Sequence, residues 1–183
     1  MWRPNAWYYK GALYKQDKID SYAISDSFFH YLPSDNHVVK WPYTKVNTTI
    51  KEVSTIFIFD GFVFHRFVES EYYLNCCKRM IKEDSSDMNY LRFHPSQSEK
   101  ERESIISYFK EMNKKYEVME SSIPFELILI CNKSLKVVGL GSSLLFFARD
   151  LGHIVVCHDR WLEKSNLYKK YKKAAGFLFF NES

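Results

Sequence analysis

Between Val53 and Cys157 the chain alternates short apolar runs with longer stretches whose apolar residues recur at helical spacing. A short β-branched and aromatic run bounded by turn residues suits a buried strand, whereas helical spacing suits one face of a helix. Ser54–Phe59 (STIFIF) is the first such run, and it stops at the turn pair Asp60-Gly61. The stretch 66–82 then sets Phe67, Tyr73, Leu74, Cys77 and Ile81 on one helical face. Residues 90–93 form a short strand ending at His94-Pro95. Ser98 and Glu101 form a capping box ahead of a helix carrying Ile105, Ile106, Phe109 and Met112. A brief strand at 116–119 precedes a short apolar helix over 124–131, with proline in its first turn. Residues 135–139 form another strand. The apolar helix over 142–151 is stopped by Gly152, 153–157 forms the last strand, and a basic helix over 162–175 ends at Gly176. Strand and helix alternate throughout. The expected fold is therefore α/β, a Rossmann-like parallel sheet with helices on both faces.

The first fifty residues have a different texture. They are aromatic and irregular, and Pro4, Pro33 and Pro42 interrupt any long helix, which leaves room for a short one over 19–31. No internal repeat is visible. The expected organisation is a connector or remnant of an N-terminal domain over 1–52, followed by a Rossmann-like domain over 53–183 that carries a C-terminal basic helix.

Composition narrows the class without naming a chemistry. The 183 residues are 46% hydrophobic and 26% charged, as in ordinary soluble globular proteins. A formal charge of +4 favours anionic ligands or a membrane surface but is too small for a nucleic-acid binder, and no RNA-binding or zinc-finger signature accompanies it. Cys76, Cys77, Cys131 and Cys157 form no CxxC pair, and the last two lie in apolar runs where buried thiols are common. All four are expected to be reduced and structural, as in a cytoplasmic protein. The start lacks the apolar stretch of a signal peptide, and no run approaches the roughly 20 apolar residues of a membrane span. Across 164–180, Lys169, Lys170, Lys172 and Lys173 alternate with Tyr168, Tyr171, Phe177, Phe179 and Phe180. That pattern fits peripheral contact with anionic lipid at the inner face of a membrane, and equally a solvated lysine face over packed aromatics.

Ligands of parallel α/β sheets bind at the carboxyl ends of the strands. The segments to weigh are thus 60–65, 94–98, 140–143 and the start of the helix at 124–131. In Gly139-Leu140-Gly141-Ser142-Ser143 an apolar strand meets glycines and then serines that open a helix. The first N–H groups of a helix lack internal partners and carry partial positive charge, so such a turn suits a phosphate. Ser142 as a simple N-cap is the competing reading. In Arg92-Phe93-His94-Pro95 the alternation of a strand sets Arg92 and His94 on one face. There an imidazole can donate to a phosphate oxygen, Arg92 adds charge, and Pro95 offers an apolar ring to a base. A surface histidine beside a turn proline is the alternative. Glu126 opens the next helix, where a carboxylate either accepts hydrogen bonds from ribose hydroxyls or satisfies backbone N–H groups.

Taken together and in this order, the His-Pro turn, the Pro124-Phe125-Glu126 helix start and the Gly-x-Gly-Ser-Ser turn resemble the bacterial sialyltransferases of the lipooligosaccharide and polysialyltransferase type, over about residues 53–160. Those enzymes use CMP-sialic acid. The resemblance implies a GT-B glycosyltransferase, two Rossmann-like domains with the donor between them, of which this region matches the C-terminal, nucleotide-binding one. It further implies that His94, Ser142 and Ser143 hold the CMP phosphate with Gly141 in their turn, and that Arg92 occupies a basic position beside them. Pro95 would lie near cytosine, Glu126 on the ribose hydroxyls, and Gly61 close to the donor. No metal or other cofactor is required by the family chemistry, and the acceptor would be a glycan or glycolipid of the cell surface. The family's general base belongs to an acidic-acidic-Gly motif of the N-terminal domain. Phe59-Asp60-Gly61 lacks the first acidic residue and lies too near His94 to precede a whole domain, so Asp60 is a weak candidate. His65, His153 and His158 are poor substitutes, the latter two expected to be structural and to flank a buried strand. The expectation is a sialyltransferase, or its donor-binding half without the base. A non-catalytic nucleotide- or partner-binding module is a further option. A CDP-glycerol-type glycerophosphotransferase is another, although the acidic residue those enzymes place before the serines is missing from Val137–Gly141.

Overall fold

The computed structural model describes residues 20–23, 35–38, 50 and 54–175. The chain divides into two compact units, Met1–Val46 and Asn47–Ser183. In the first, β1 (Asp20–Ala23) pairs in parallel with β2 (Asp35–Val38), Asp20 opposite Asp35 and Ala23 opposite Val38. The helix expected over 19–31 is therefore absent at 20–23, which are extended. The remainder of that stretch, like Pro4, Pro33 and Pro42, lies outside the described residues.

The second unit is built on β3 (Ser54–Phe59), β4 (Met88–Phe93), β5 (Lys115–Val118), β6 (Lys136–Gly139) and β7 (Ile154–Cys157). All are parallel, in the order β5-β4-β3-β6-β7. The intervening helices are α1 (Ser70–Glu83), α2 (Glu99–Glu111), α3 (Phe125–Cys131) and α4 (Ser143–Asp150). A 3₁₀ turn (Asp159–Lys164) and α5 (Asn166–Ala175) follow. This is the Rossmann-like α/β arrangement expected from the alternating pattern. Winding starts at β3, runs outward through β4 to β5, crosses back by α3 to β6, and runs the other way to β7. The reversal falls between β3 and β6, and ligands of such sheets bind in the crevice beyond it.

Central β3 is buried along its whole length. Its alternation divides the core. Phe57 and Phe59 join Leu91, Phe93 and Val138 in one cluster with Cys77 and Ile81 of α1, Ile105 and Phe109 of α2, and Tyr168 of α5. Phe59 stacks on Phe93 at 5.1 Å, and Phe57 meets the edge of Phe109 at 5.5 Å. Each such ring removed from water contributes roughly 1.5–3 kcal/mol. Ser98 and Glu101 form the reciprocal capping box at the start of α2, and Gly152 takes φ +81° just past α4.

Several boundaries differ from those expected. The stretch read as the first turn of a helix from 66 is loop, and α1 begins at Ser70. Met112 caps α2 at 37% exposure and contributes no core face. The basic helix expected from 162 is a 3₁₀ turn to Lys164, with α5 following it. β7 is an edge strand whose Ile154 is 57% exposed, so His153 and His158 do not flank a buried strand. Cys76 and Cys77 are buried, but Cys131 and Cys157 are only half-buried, and no disulfide joins any of the four. Phe177, Phe179, Phe180 and Gly176 lie outside the described residues. Among the described residues no helix is long and apolar enough to cross a membrane.

Candidate functional site

The His-Pro turn is built around the His94 ring. The His94 backbone N–H donates to Phe59 O at 3.0 Å, carrying the β3–β4 pairing one step past the strand, and also to Gln97 Oε1 at 3.0 Å. Gln97 N–H returns a bond to His94 O at 3.0 Å. Arg102 of α2 reaches back to donate to His94 O and Pro95 O, at 3.1 and 3.2 Å. Pro95 itself is exposed. The Ser96 N–H donates to His94 Nδ1 at 3.2 Å, with the Ser96 hydroxyl 2.6 Å from the same nitrogen. A ring nitrogen that accepts from a backbone N–H is the unprotonated one, so the proton of the neutral imidazole sits on Nε2. Burial pushes the His94 pKa below its ordinary value, with the neighbouring His65 and Arg102 acting in the same sense. The group is therefore a neutral Nε2–H donor.

Gly61 makes room for that ring. A Cβ at Gly61 would lie 2.4 Å from Ser96 Oγ and 2.7 Å from His94 Nδ1, so any side chain there displaces the imidazole or its serine. The loop continues through His65 N–H to Gly61 O (3.1 Å) and Phe67 N–H to Phe62 O (2.8 Å), with Arg66 at φ +56°.

On the β4–β5 side, Arg92 donates to the carbonyls of Glu120, Ser121 (3.4 Å) and Ile123 (2.9 Å). The guanidinium thus ties the segment leading into α3 to the end of β4 and fixes the position of Glu126. Burial lowers the Arg92 pKa while the Glu126 carboxylate works to raise it, which places the two charges within mutual reach. Glu126 is half-buried in the first turn of α3, and Pro124 stands as its N-cap.

Across the reversal, Gly141 takes φ +147°, a conformation other residues rarely adopt, and a Cβ built there would lie 3.5 Å from the Phe62 ring and 3.6 Å from the Asp159 Cβ. Ser142 is the N-cap of α4, accepting from Leu144 N–H at 3.4 Å, and Ser143 is the first helical residue. Both are half-buried. Asp159 was not singled out by the sequence. Burial raises its pKa, with Lys172 opposing.

Each expected site residue thus lies at the carboxyl end of β3, β4 or β6 or at the start of α3. Direct contact joins Gly61 to His94, and electrostatic interaction joins Arg92 to Glu126. The Gly-Ser-Ser turn meets the loop after β3 through Phe62. Asp60 is only 6% exposed, and its N–H donates to Tyr73 Oη at 2.7 Å. His153 is structural: Nδ1 accepts from Leu135 N–H at 3.2 Å and Nε2 faces Leu129 O at 2.9 Å. His158 stacks on Trp161 at 4.0 Å. In α5 the aromatic side packs inward, Tyr168 fully buried and Tyr171 stacked on Phe67 at 4.0 Å, while Lys169 and Lys170 are exposed. Among the described residues no cluster of three or more His, Cys, Asp or Glu side chains is placed to hold a metal ion. Sequence pattern did not reveal Ser96, Gln97 and Arg102 as the support of His94. The capping box marks where α2 starts, but nothing linear says that Arg102 turns back to the His-Pro carbonyls.

Comparison with known proteins bears on the whole arrangement. No curated protein and no solved structure matches the chain. The family model for alpha-2,8-polysialyltransferases matches residues 10–158. That span contains all five strands of the sheet and all the loops described above, and it reaches well ahead of the stretch that carries the motif resemblance. The chain belongs to the alpha-2,8-polysialyltransferase family.

Proposed function

We propose that the carboxyl edge of this sheet binds CMP-sialic acid and that the chain serves transfer of its sialyl group to a glycan acceptor. The observation that carries this reading is the His94 imidazole, locked by Ser96 into the tautomer that presents Nε2–H, beside the sheet reversal. In sialyl transfer the acceptor hydroxyl attacks the anomeric carbon while the bond from that carbon to the phosphate oxygen breaks. CMP then leaves with one more negative charge than its phosphate carried as a diester. A donor held ready for that charge lowers the barrier, because it needs no reorganisation as the charge develops. His94 is assigned to this role, with the Ser142 and Ser143 hydroxyls and the first N–H groups of α4 on the same phosphate. Glu126 takes the ribose hydroxyls, Pro95 faces the cytosine, and Arg92 acts by holding the segment that bears Glu126. The sheet corresponds in this reading to the nucleotide-binding half of a GT-B enzyme. Asp60 is too buried to reach an acceptor hydroxyl, so deprotonation of the acceptor is assigned to none of these residues.

Calorimetric titration with CMP tests the assignment on the wild type and on a variant carrying both His94→Ala and Ser142→Ala. Losing charge-assisted hydrogen bonds is expected to weaken binding at least about tenfold. Equal affinity of the two proteins would defeat it.

A further inference from the structure

The exposed imidazole of His65 stands beside His94, their ring centroids 6.0 Å apart and their planes at 76°. Exposure does not leave it unplaced. His65 lies nearly parallel to Phe67 at 5.5 Å, Phe67 stacks on Tyr171 at 4.0 Å, and Phe64 meets the His65 ring edge-on at 5.1 Å. A ladder of rings thus runs from α5 through Phe67 and His65 to His94. Residues two apart in an extended segment share a face, but His65 and Phe67 stack across a tight turn. Arg66, at φ +56°, is what permits it. A non-glycine residue held in that region costs about 1 kcal/mol or more, and such strain clusters at functional sites. The His65 ring nitrogens make no hydrogen bond to any described residue, so an oriented N–H donor is held next to the one assigned to the phosphate.

Resting on the CMP reading above, we infer that His65 is a second phosphate-binding residue, forming with His94 a two-imidazole clamp on the phosphoryl group of the nucleotide. Donors on two neighbouring rings set nearly edge to face at this separation suit one tetrahedral phosphoryl group, whose oxygens accept from each ring at roughly 2.8 Å. Phe64, 64% exposed, forms the outer wall of the clamp. His65 contacts only the phosphoryl group. It therefore contributes to binding of CMP and not of cytidine, which keeps the base and ribose but lacks the phosphate.

The experiment measures CMP and cytidine affinity for wild type, His65→Phe, His65→Gln and His94→Ala by calorimetry. Phenylalanine keeps a ring to stack on Phe67 but has no donor, whereas glutamine keeps an N–H donor. His65→Phe is expected to weaken CMP binding about tenfold and leave cytidine binding unchanged, with His65→Gln close to wild type. Wild-type CMP affinity in His65→Phe, or equal losses for CMP and cytidine, overturns the clamp. If His94→Ala still weakens CMP in that case, the nucleotide site itself stands. A wild type that binds no CMP overturns both.

Discussion

The two edges of the sheet handle charge in opposite ways. At the amino edge, Asp84 is a buried carboxylate consumed by the protein: Thr55 Oγ1 donates to it at 3.0 Å, Lys136 Nζ at 2.5 Å and Ser86 N–H at 2.9 Å, while Lys114 donates to its carbonyl. Burial works to raise its pKa, yet Lys136 and Ser86 outweigh that and hold the carboxyl below its ordinary value. At the carboxyl edge, His94 is kept neutral, and among the described residues only its Nδ1 is engaged. Glycines at 61 and 141 bring backbone close, and an imidazole at 65 is held by ring contacts, with no hydrogen bond from its nitrogens to any described residue. At the amino edge the Asp84 carboxylate is satisfied internally and so stabilises the fold. The other edge orients a neutral imidazole donor at the carboxyl ends of the strands, where the proposed nucleotide would lie.

That contrast can be broken at either edge. The largest effect is expected from Asp84→Ala, which strands Lys136 and takes one of its two partners from the Thr55 hydroxyl. It should cost about 3 kcal/mol in denaturant unfolding while leaving CMP affinity in the folded protein unchanged. A loss of CMP affinity would mean that the edges are not separable. Gly61→Ala comes next. Its methyl group meets His94 and Ser96, so CMP binding should fall about tenfold and stability by about 1–2 kcal/mol.

The pH dependence of unfolding then separates the two kinds of group. His94 and His153 titrate below the ordinary 6.5 in the folded chain, so the unfolded chain takes up their protons first. Their contribution is full above pH 6.5 and falls as pH drops below it. Asp84 titrates below the ordinary 3.8, so its contribution is complete above that pH and disappears only as pH falls further, through its folded value. Two separate descents are expected in denaturant midpoints measured against pH. Asp84→Asn should remove the lower one alone. The smallest effect is expected from Arg102→Ala, which loosens the His-Pro carbonyls and should weaken CMP about threefold, with little change in stability.

Much of the carboxyl edge was legible in the sequence because its signals are local. A His-Pro turn, a capping box at Ser98, a Gly-x-Gly before a helix and Gly152 after one are each set by backbone geometry within a few residues. What was not legible depends on contacts between distant segments. Arg66 to Val68 reads as the opening of a helix, but it is loop, in which Val68 packs in the core beside Tyr168 of α5, and the αL backbone of Arg66 has no sequence signature. Ile154–Cys157 reads as a buried strand, yet its place in the order makes it an edge. Arg92 reads as phosphate-facing charge, whereas its neighbours are the carbonyls before α3. Asp159 reaches Gly141 only because β7 lies beside β6.

The central claim is that the turn at His94, the start of α3 and the turn at Gly141 surround one nucleotide. Titrating isotope-labelled protein with CMP and following backbone amide resonances tests it most directly. The account predicts that amides of His94, Ser96 and Gln97, of Glu126 and Leu127, and of Gly141 to Ser143 shift together along a single saturation curve. Shifts confined to one of these three segments, or following different affinities, would contradict it.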